Sequence, residues 1–487
     1  MNKQIRAVGF TMLILFGIVF VNLTWLQLGR AEQLANHPSN TRLLLKEYAL
    51  ERGAIRSVNG DTLAVSVPTP DEQLKSLRTY PKAELFAHAT GYYSVRYGRE
   101  RLERSYNEEL TGEGGVVTMQ DLGDRLLGKG KKGDTLVLSI DTSVQEAATA
   151  ALGGRKGSVV ALDPVSGQIL AFVSTPSFDP NTLSQHSSEG QQAAWVALNE
   201  DEENRRLVNR ASRGTYPPGS TFKVITVAAA LENDIPASTS FPPAKEYQPA
   251  QTDRVIRNFG GSTCGGDMAD ALTVSCNTYV ARLAAEMPAG ILEETAANFG
   301  FTETPPLDIS SVASRLPDSD ELESPAFRAL ASIGQFSVAA TPLQMALVAA
   351  GIANDGKVPA PKLVKQIEDA RGAVVQQTEP ETWKEAVSPQ TAETIKEMMV
   401  NVAASGTARA AALPGVEVAA KTGTAQTGEG GDESIAWTIA FAPADNPRIA
   451  IAVMVEGAGP GSDETGGRVA APMVRQVLQA HRNVAGW

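Results

Sequence analysis

The sequence predicts a mixed α/β fold of the α+β kind, an antiparallel sheet held between helices, and three observations predict it. Residues 158–162 and 169–173 are apolar runs on either side of Asp163-Pro164-Val165-Ser166-Gly167, a turn-forming stretch that folds them into a hairpin. Residues 436–441 and 449–455 repeat that pattern around Pro443 and Asn446-Pro447, and residues 418–425 supply a further strand. Helical signals bracket the strands: residues 222–231 form an apolar helical run, and Pro472 opens a last helix with Val474, Val477 and Leu478 on one face.

From the N-terminus, the first element is an apolar run over residues 7–28, interrupted by Thr11, Asn22, Thr24 and Gln27 and preceded by Lys3 and Arg6. Its length is about the ~20 residues a helix needs to cross a bilayer, and the flanking cations favour a cytoplasmic N-terminus. Cleavage is disfavoured: the run exceeds the apolar core of a signal peptide, and the small-x-small triplet at its end, Gly29-Arg30-Ala31, has arginine in the middle. Residues 1–30 therefore read as an uncleaved anchor.

Residues 31–133 are polar and mixed, with short apolar stretches such as Leu43-Leu44-Leu45 and Asp61-Thr62-Leu63-Ala64-Val65, and read as a small pedestal. It ends in Gly128-Lys129-Gly130-Lys131-Lys132-Gly133, a flexible linker by composition. Gly123 with Gly128-Lys129 imitates a phosphate loop, but Gly130 stands where Mg²⁺ binding needs Ser or Thr. Residues 134–487 hold the strands and helices of the main domain. A net charge of -12 leaves no basic footprint for nucleic acid.

Chemistry enters with Ser220-Thr221-Phe222-Lys223, Ser275-Cys276-Asn277 and Lys421-Thr422-Gly423, in that order. Each alone is weak, and Ser-x-Asn recurs at Ser57-Val58-Asn59; the ordered trio is specific. Tyr216-Pro217-Pro218-Gly219 hands over to a helix start at Ser220. Residues three apart share a helical face, so Lys223 Nζ can reach Ser220 Oγ. A serine hydroxyl needs an adjacent base, and lysine serves when its reference pKa of ~10.4 falls by several units. Burial, the helix N-terminus and a second cation, Lys421, all push that way. A solvated surface lysine would not follow so apolar a context.

The four histidines, His37, His88, His186 and His481, show no metal-type spacing, and Ser220 lacks the Gly-x-Ser-x-Gly elbow. A metal enzyme and a histidine triad are both disfavoured, and no cofactor is implied.

The three motifs resemble those of the penicillin-binding proteins and serine β-lactamases. The resemblance extends to class B penicillin-binding proteins through Arg52-Gly53-Ala54-Ile55, Asn59-Gly60 and Leu63-Ala64, and through Leu102-Glu103, Tyr106, Leu110 and Gly112. It continues through Asn209-Arg210-Ala211, Gly334-Gln335 with Thr341-Pro342-Leu343-Gln344, and Ala470-Ala471-Pro472. The pedestal is too short for a class A glycosyltransferase, and with the Ser-Cys-Asn triplet it is most similar to the actinobacterial PbpA type. The resemblance implies the penicillin-binding transpeptidase fold, with an all-helical subdomain between Ser220 and about Val348.

It also implies roles. Ser220 would attack a D-alanyl-D-alanine carbonyl of a peptidoglycan stem peptide, or the ring carbonyl of a β-lactam, and Lys223 would accept its proton. The backbone N–H groups of Ser220 and Thr424 would hold the oxyanion. Ser275 would relay a proton to the leaving nitrogen, Asn277 would hold Lys223 and the substrate peptide, and Lys421 and Thr422 would bind the terminal carboxylate. Gly423 would let substrate approach the strand closely, and residues 426–434 read as a mobile rim loop.

The implied activity is a membrane-anchored D,D-transpeptidase. Its rivals are a D,D-carboxypeptidase, a β-lactamase, which lacks here the Glu-x-x-Leu-Asn pattern of class A enzymes, and a binding role, either an antibiotic sensor, which one anchor and the missing His-Glu-x-x-His motif disfavour, or a scaffold that activates a membrane glycosyltransferase. The expected polymerase partner is of the shape-elongation-division-sporulation type. Cys264 and Cys276, the two cysteines, would lie outside the membrane where disulfides persist; they either staple a loop to the Ser275 motif or remain free thiols.

Overall fold

The computed structural model of the chain describes residues 2–30, 48, 50–112, 132–250, 252–427, 433–458 and 464–487. Leu43-Leu44-Leu45, Gly123, residues 128–131 of the expected linker and residues 428–432 of the expected rim loop lie outside the described residues.

Helix α1 (Asn2–Gly29) covers the apolar N-terminal run. It is a candidate membrane span of 27 residues from Lys3 to Gly29, and Phe16 and Phe20 are each 71% exposed. Water would penalise that much bare apolar surface, whereas lipid would not.

Beyond it, a six-stranded sheet runs in the order Val374–Gln377, Val364–Glu368, Thr135–Leu138, Ile55–Arg56, Thr62–Pro68 and Ser76–Thr79. Strands from both sides of residue 134 thus lie side by side. Gly53 permits this closeness, since a Cβ there would sit 1.9 Å from the Asp134 carbonyl oxygen. Beneath the sheet, buried Glu103 receives Arg52 Nε at 2.6 Å and Arg78 Nε at 2.7 Å, with the Tyr80 hydroxyl at 3.1 Å. These are residues of the two N-terminal motif blocks and their sheet neighbours.

The main domain is built on five antiparallel strands: β1 (Gly157–Leu162), β2 (Ile169–Thr175), β3 (Ala419–Thr427), β4 (Glu433–Ala442) and β5 (Ile449–Ala458). They lie in the order β3-β4-β5-β1-β2, leaving β3 at the edge. Both hairpins form as the turn chemistry predicts. Residues 449–455 of β5 are fully buried on both faces, as expected of a sheet covered by helices on each side. Helices α2 (Lys223–Glu232), α3 (Asn277–Glu286), α4 (Pro342–Ala353) and α5 (Ala470–Ala485) follow; α4 and α5 both pack on β4 and β5.

The helical subdomain departs from the expectation in one respect. It also carries two small two-stranded sheets, Phe241–Ala244 with Cys264–Gly266 and Glu246–Tyr247 with Ile256–Arg257. Pro242 and Pro243 cannot donate helical hydrogen bonds, which keeps this stretch extended. Cys264 and Cys276 are disulfide-bonded, with Cα atoms 5.8 Å apart, so the extended segment is tied to the start of α3.

Candidate active site

The chain enters the site through Tyr216, whose backbone pairs in both directions with Ala340 at 2.9 and 2.8 Å. A short 3₁₀ turn, Gly219–Phe222, carries Ser220 and runs directly into α2, so Lys223 is the first residue of the α-helix. Gly219 takes a positive φ of 54°, and a Cβ on it would lie 2.7 Å from the Thr424 carbonyl oxygen. The serine turn is thereby seated against β3.

Strand alternation assigns the β3 side chains to faces. Lys421 and Gly423 face the serine turn, while the Thr422 hydroxyl meets Thr407 Oγ1 at 2.6 Å and Thr424 Oγ1 accepts from Gly466 N at 3.2 Å on the other side. Gly423 has a reason of its own in the packing. A Cβ there would meet Pro218 O at 2.7 Å and Thr221 N at 3.0 Å, so the glycine makes room for the Ser220 turn.

Ser275 occupies the left-handed region at φ 59°, rare for a side chain without an amide or carboxylate. In this conformation its carbonyl accepts from Lys223 Nζ at 2.7 Å. Asn277, the first residue of α3, accepts from the same Nζ through Oδ1 at 2.6 Å, and donates through Nδ2 to Arg257 O at 2.8 Å. Because Nδ2 faces a carbonyl, the amide orientation is determined. Ser275 Oγ lies 3.3 Å from Lys223 Nζ and 2.9 Å from Lys421 Nζ, bridging the two amines.

Both lysines are fully buried. Burial pushes Lys223 well below the usual lysine range, and the neighbouring Lys421 charge pushes it further the same way. Burial also lowers Lys421, to about 7. The Ser275 carbonyl and Asn277 Oδ1 can only accept and so take two N–H bonds from Lys223 Nζ, while Ser275 Oγ can either accept from that nitrogen or donate to its lone pair. Ser220 Oγ is not among the hydrogen-bond partners of Lys223 Nζ in this structure, so the expected contact across one turn is open rather than formed.

The three motifs thus converge, together with residues that their spacing does not name. Thr407 joins the strand of Lys421 to the Ser275 loop, since Thr407 N also donates to Thr273 O at 3.2 Å. Its sequence signal is the Ser405-Gly406-Thr407 stop after a helix, where a Cβ on Gly406 would strike Thr273 O at 2.2 Å. Trp437 Nε1 donates to Pro217 O, and Glu456 accepts from the Tyr216 hydroxyl; neither residue stands near a motif in sequence. The described histidines are engaged elsewhere, His88 with Arg101, His186 with Ser76 and His481 with Trp487.

Comparison with known proteins adds independent findings. A family model described as the penicillin binding protein transpeptidase domain matches residues 157–479, and one described as the penicillin binding protein A dimerisation domain matches residues 52–136. The peptidoglycan D,D-transpeptidase PbpA of Mycolicibacterium smegmatis is 39% identical over 491 residues, covering 99% of each chain. Penicillin-binding protein A of Mycobacterium tuberculosis, solved as its ceftriaxone acyl-enzyme complex, superposes with a TM-score of 0.84 at 37% identity, covering 90% of this chain and 99% of that one. Its penicillin G acyl-enzyme complex gives 0.81 at 37% identity, with 88% and 99% covered.

Proposed function

Because the chain belongs to the penicillin-binding protein transpeptidase family, we propose that it is a D,D-transpeptidase that cross-links peptidoglycan stem peptides through an acyl-enzyme on Ser220. The observation that carries this reading is Lys223: a buried amine at the foot of the nucleophile's turn, held by the Ser275 carbonyl and Asn277 Oδ1 and linked through Ser275 Oγ to Lys421.

In the proposed reaction Ser220 Oγ bonds to the penultimate D-alanyl carbonyl carbon as its proton passes to Lys223 Nζ. The developing oxyanion is held by the Ser220 and Thr424 N–H groups. The C–N bond then breaks, and Ser275 Oγ passes a proton to the departing D-alanine nitrogen and takes its replacement from Lys223 Nζ. An amine from a second stem peptide attacks the acyl carbon, its proton passes through Lys223 Nζ to Ser220 Oγ, and the acyl C–O bond breaks, leaving the new amide and the Ser220 hydroxyl. Asn277 keeps Lys223 aligned and holds the substrate peptide, while Lys421 and Thr422 bind the terminal carboxylate. An arriving carboxylate favours protonated Lys421, and that charge disfavours protonated Lys223. Substrate binding thus keeps its own base in the free-amine form. A β-lactam enters at the same atom because it presents a strained carbonyl of the same kind.

The anchor helix, with Lys3 and Arg6 in its first turns, supports a cytoplasmic N-terminus and an extracytoplasmic catalytic domain. A membrane glycosyltransferase of the shape-elongation-division-sporulation type is the partner this arrangement suits, delivering nascent glycan on the same side of the membrane.

The deciding experiment offers a stem-peptide or thioester donor with and without a D-amino acid acceptor. Transfer to the acceptor, lost in Ser220→Ala, is expected. Acceptor-independent release of D-alanine would make the enzyme a carboxypeptidase. Absence of turnover, with growth support retained by Ser220→Ala, would leave a scaffold.

A further inference from the structure

Ser220 is followed by its base but preceded by two prolines, and that choice sets a problem. Pro217 and Pro218 have no N–H, so the turn that aims the nucleophile can be fastened through carbonyl groups and through Tyr216 and Gly219 at its two ends. Each fastening is present. Gly219 N donates to Gly334 O at 3.1 Å, and Pro218 O accepts from Thr221 Oγ1 at 2.7 Å within the turn itself. Pro217 O accepts from Trp437 Nε1 at 3.0 Å. The Tyr216 hydroxyl donates to Glu456 Oε1 at 2.7 Å, and buried Arg210 Nε holds the same oxygen at 2.8 Å.

The placement of Trp437 is the telling part. It stands on β4 directly opposite Gly423 of β3, and cross-strand partners project to the same face of a sheet. The missing side chain at 423 leaves the space that Pro218 and Thr221 occupy. The large side chain at 437, fully buried, reaches over that face to the carbonyl of Pro217. One strand position is emptied for the serine turn, and its partner position is filled by the group that holds the turn there. Glu456, on neighbouring β5, adds a second hold through Tyr216.

We propose that Trp437, seconded by the Glu456–Tyr216 pair, is a positioning residue for the nucleophile: it sets how the Ser220 turn sits on β3, and with it the spacing between the Ser220 and Thr424 N–H groups. Neither residue touches the reacting atoms. The inference rests on the reading of Ser220 as the acylated serine. It assigns the register of the site to the centre of the sheet, not to the three motifs.

The test is acylation of the full-length chain in detergent by a fluorescent penicillin, with the saturating rate and the half-saturating concentration measured separately. Trp437→Phe keeps an aromatic ring but removes the N–H and part of the indole's bulk. Its saturating rate should fall on the order of 10- to 100-fold with half-saturation unchanged, since a misaimed nucleophile still binds its inhibitor. Glu456→Ala and Tyr216→Phe should each lower the same rate several-fold, and Glu456→Gln, whose amide oxygen still accepts, should recover most of it. Leu478→Ala in α5, destabilised to a similar melting temperature, should acylate at the wild-type rate. Equal rate losses in Leu478→Ala and Trp437→Phe, or a wild-type saturating rate in Trp437→Phe, overturn the proposal. Should Trp437→Phe not fold, the Glu456 pair decides, and equal rates for Ala and Gln there overturn it. A wild-type chain that no penicillin acylates removes the Ser220 reading itself, a result distinct from these.

Discussion

Two buried charge clusters in this molecule answer the same cost in opposite ways. Under the pedestal sheet, Glu103 sits between Arg52 and Arg78 with all three side chains at most 3% exposed. Burial by itself raises the Glu103 carboxyl, but the two guanidinium charges outweigh it and bring it below the usual glutamate range. In the active site, Lys223 and Lys421 are as deeply buried, yet the hydrogen-bond partners named for their amines are neutral oxygens: Ser275 O and Oγ, Asn277 Oδ1 and Thr422 O. A buried charge with an opposite partner stays charged and fastens structure. A buried amine with neutral partners gives up its proton and becomes a base. Residue choice matches: arginine, which does not lose its proton, stands in the first cluster, and lysine, which does, stands in the second.

The largest effect that would break this contrast is on catalysis. Lys223→Met should reduce penicillin acylation by about 10²–10⁴-fold, the worth of a placed general base. It should cost about 1–3 kcal/mol of folding stability, from the Ser275 carbonyl and Asn277 amide left without their donor. Acylation kinetics and urea unfolding on the same sample check both. If acylation survives, Lys223 is not the base.

Glu103→Ala should do the reverse. Leaving Arg52 and Arg78 buried without their anion should cost about 3–5 kcal/mol in unfolding, while the acylation rate of the protein that remains folded stays near wild type. A stable Glu103→Ala chain would mean that the triad is not under the strain of buried charge.

The pH dependence of stability sharpens the comparison, because both clusters make stability rise with pH but in separate windows, the lysines above neutrality and Glu103 in acid. Lys421 titrates near 7 in the folded chain and at ~10.4 when unfolded. Between those values the unfolded chain binds more protons, so stability rises with pH by at most about 1.4 kcal/mol per pH unit for this lysine. Lys223, shifted in the same direction, adds to the same rise. Glu103 is lowered, so its contribution is present above its unfolded value of ~4.3 and is lost as pH falls through the folded one. Urea unfolding from pH 6 to 9 should give a steeper rise in wild type than in Lys421→Met; equal slopes would mean that Lys421 is not neutralised by burial.

The smallest effect is a baseline. Arg104 follows Glu103 in sequence, but its contact with Glu100 is 3.8 Å long with side chains 71% and 42% exposed. Arg104→Ala should change stability by less than about 0.5 kcal/mol. A loss comparable to that of Glu103→Ala would show that burial does not separate the two.

Much of the site was legible in the chain because its chemistry is local. Ser220 and Lys223 lie one turn apart, Ser275 and Asn277 flank one residue, and Lys421 to Thr424 are consecutive on one strand. Turn residues at 163–167 and around Pro443 marked the hairpins because backbone preference acts within a few residues. The small sheets inside the helical subdomain were missed: strands of two to four residues leave too short a pattern to read. Nor could spacing reveal why Gly423 is a glycine, since the atoms that exclude a side chain come from Pro218 and Thr221, some two hundred positions earlier.

The sequence by itself determined which groups are available: a serine with a lysine one turn on, a second serine with an asparagine, a second lysine on a strand, and an apolar run long enough to cross a membrane. Tertiary structure alone decided what those groups are. Whether Lys223 is an ammonium or an amine depends on water being excluded around it and on Lys421 standing across Ser275, which takes strands and helices from three parts of the chain. Whether Glu103 is a liability or a fastening depends on Arg52 and Arg78 arriving from 51 and 25 positions away. Charge is written in the residue, but the free energy of keeping it is a property of the surroundings, and only folding supplies those.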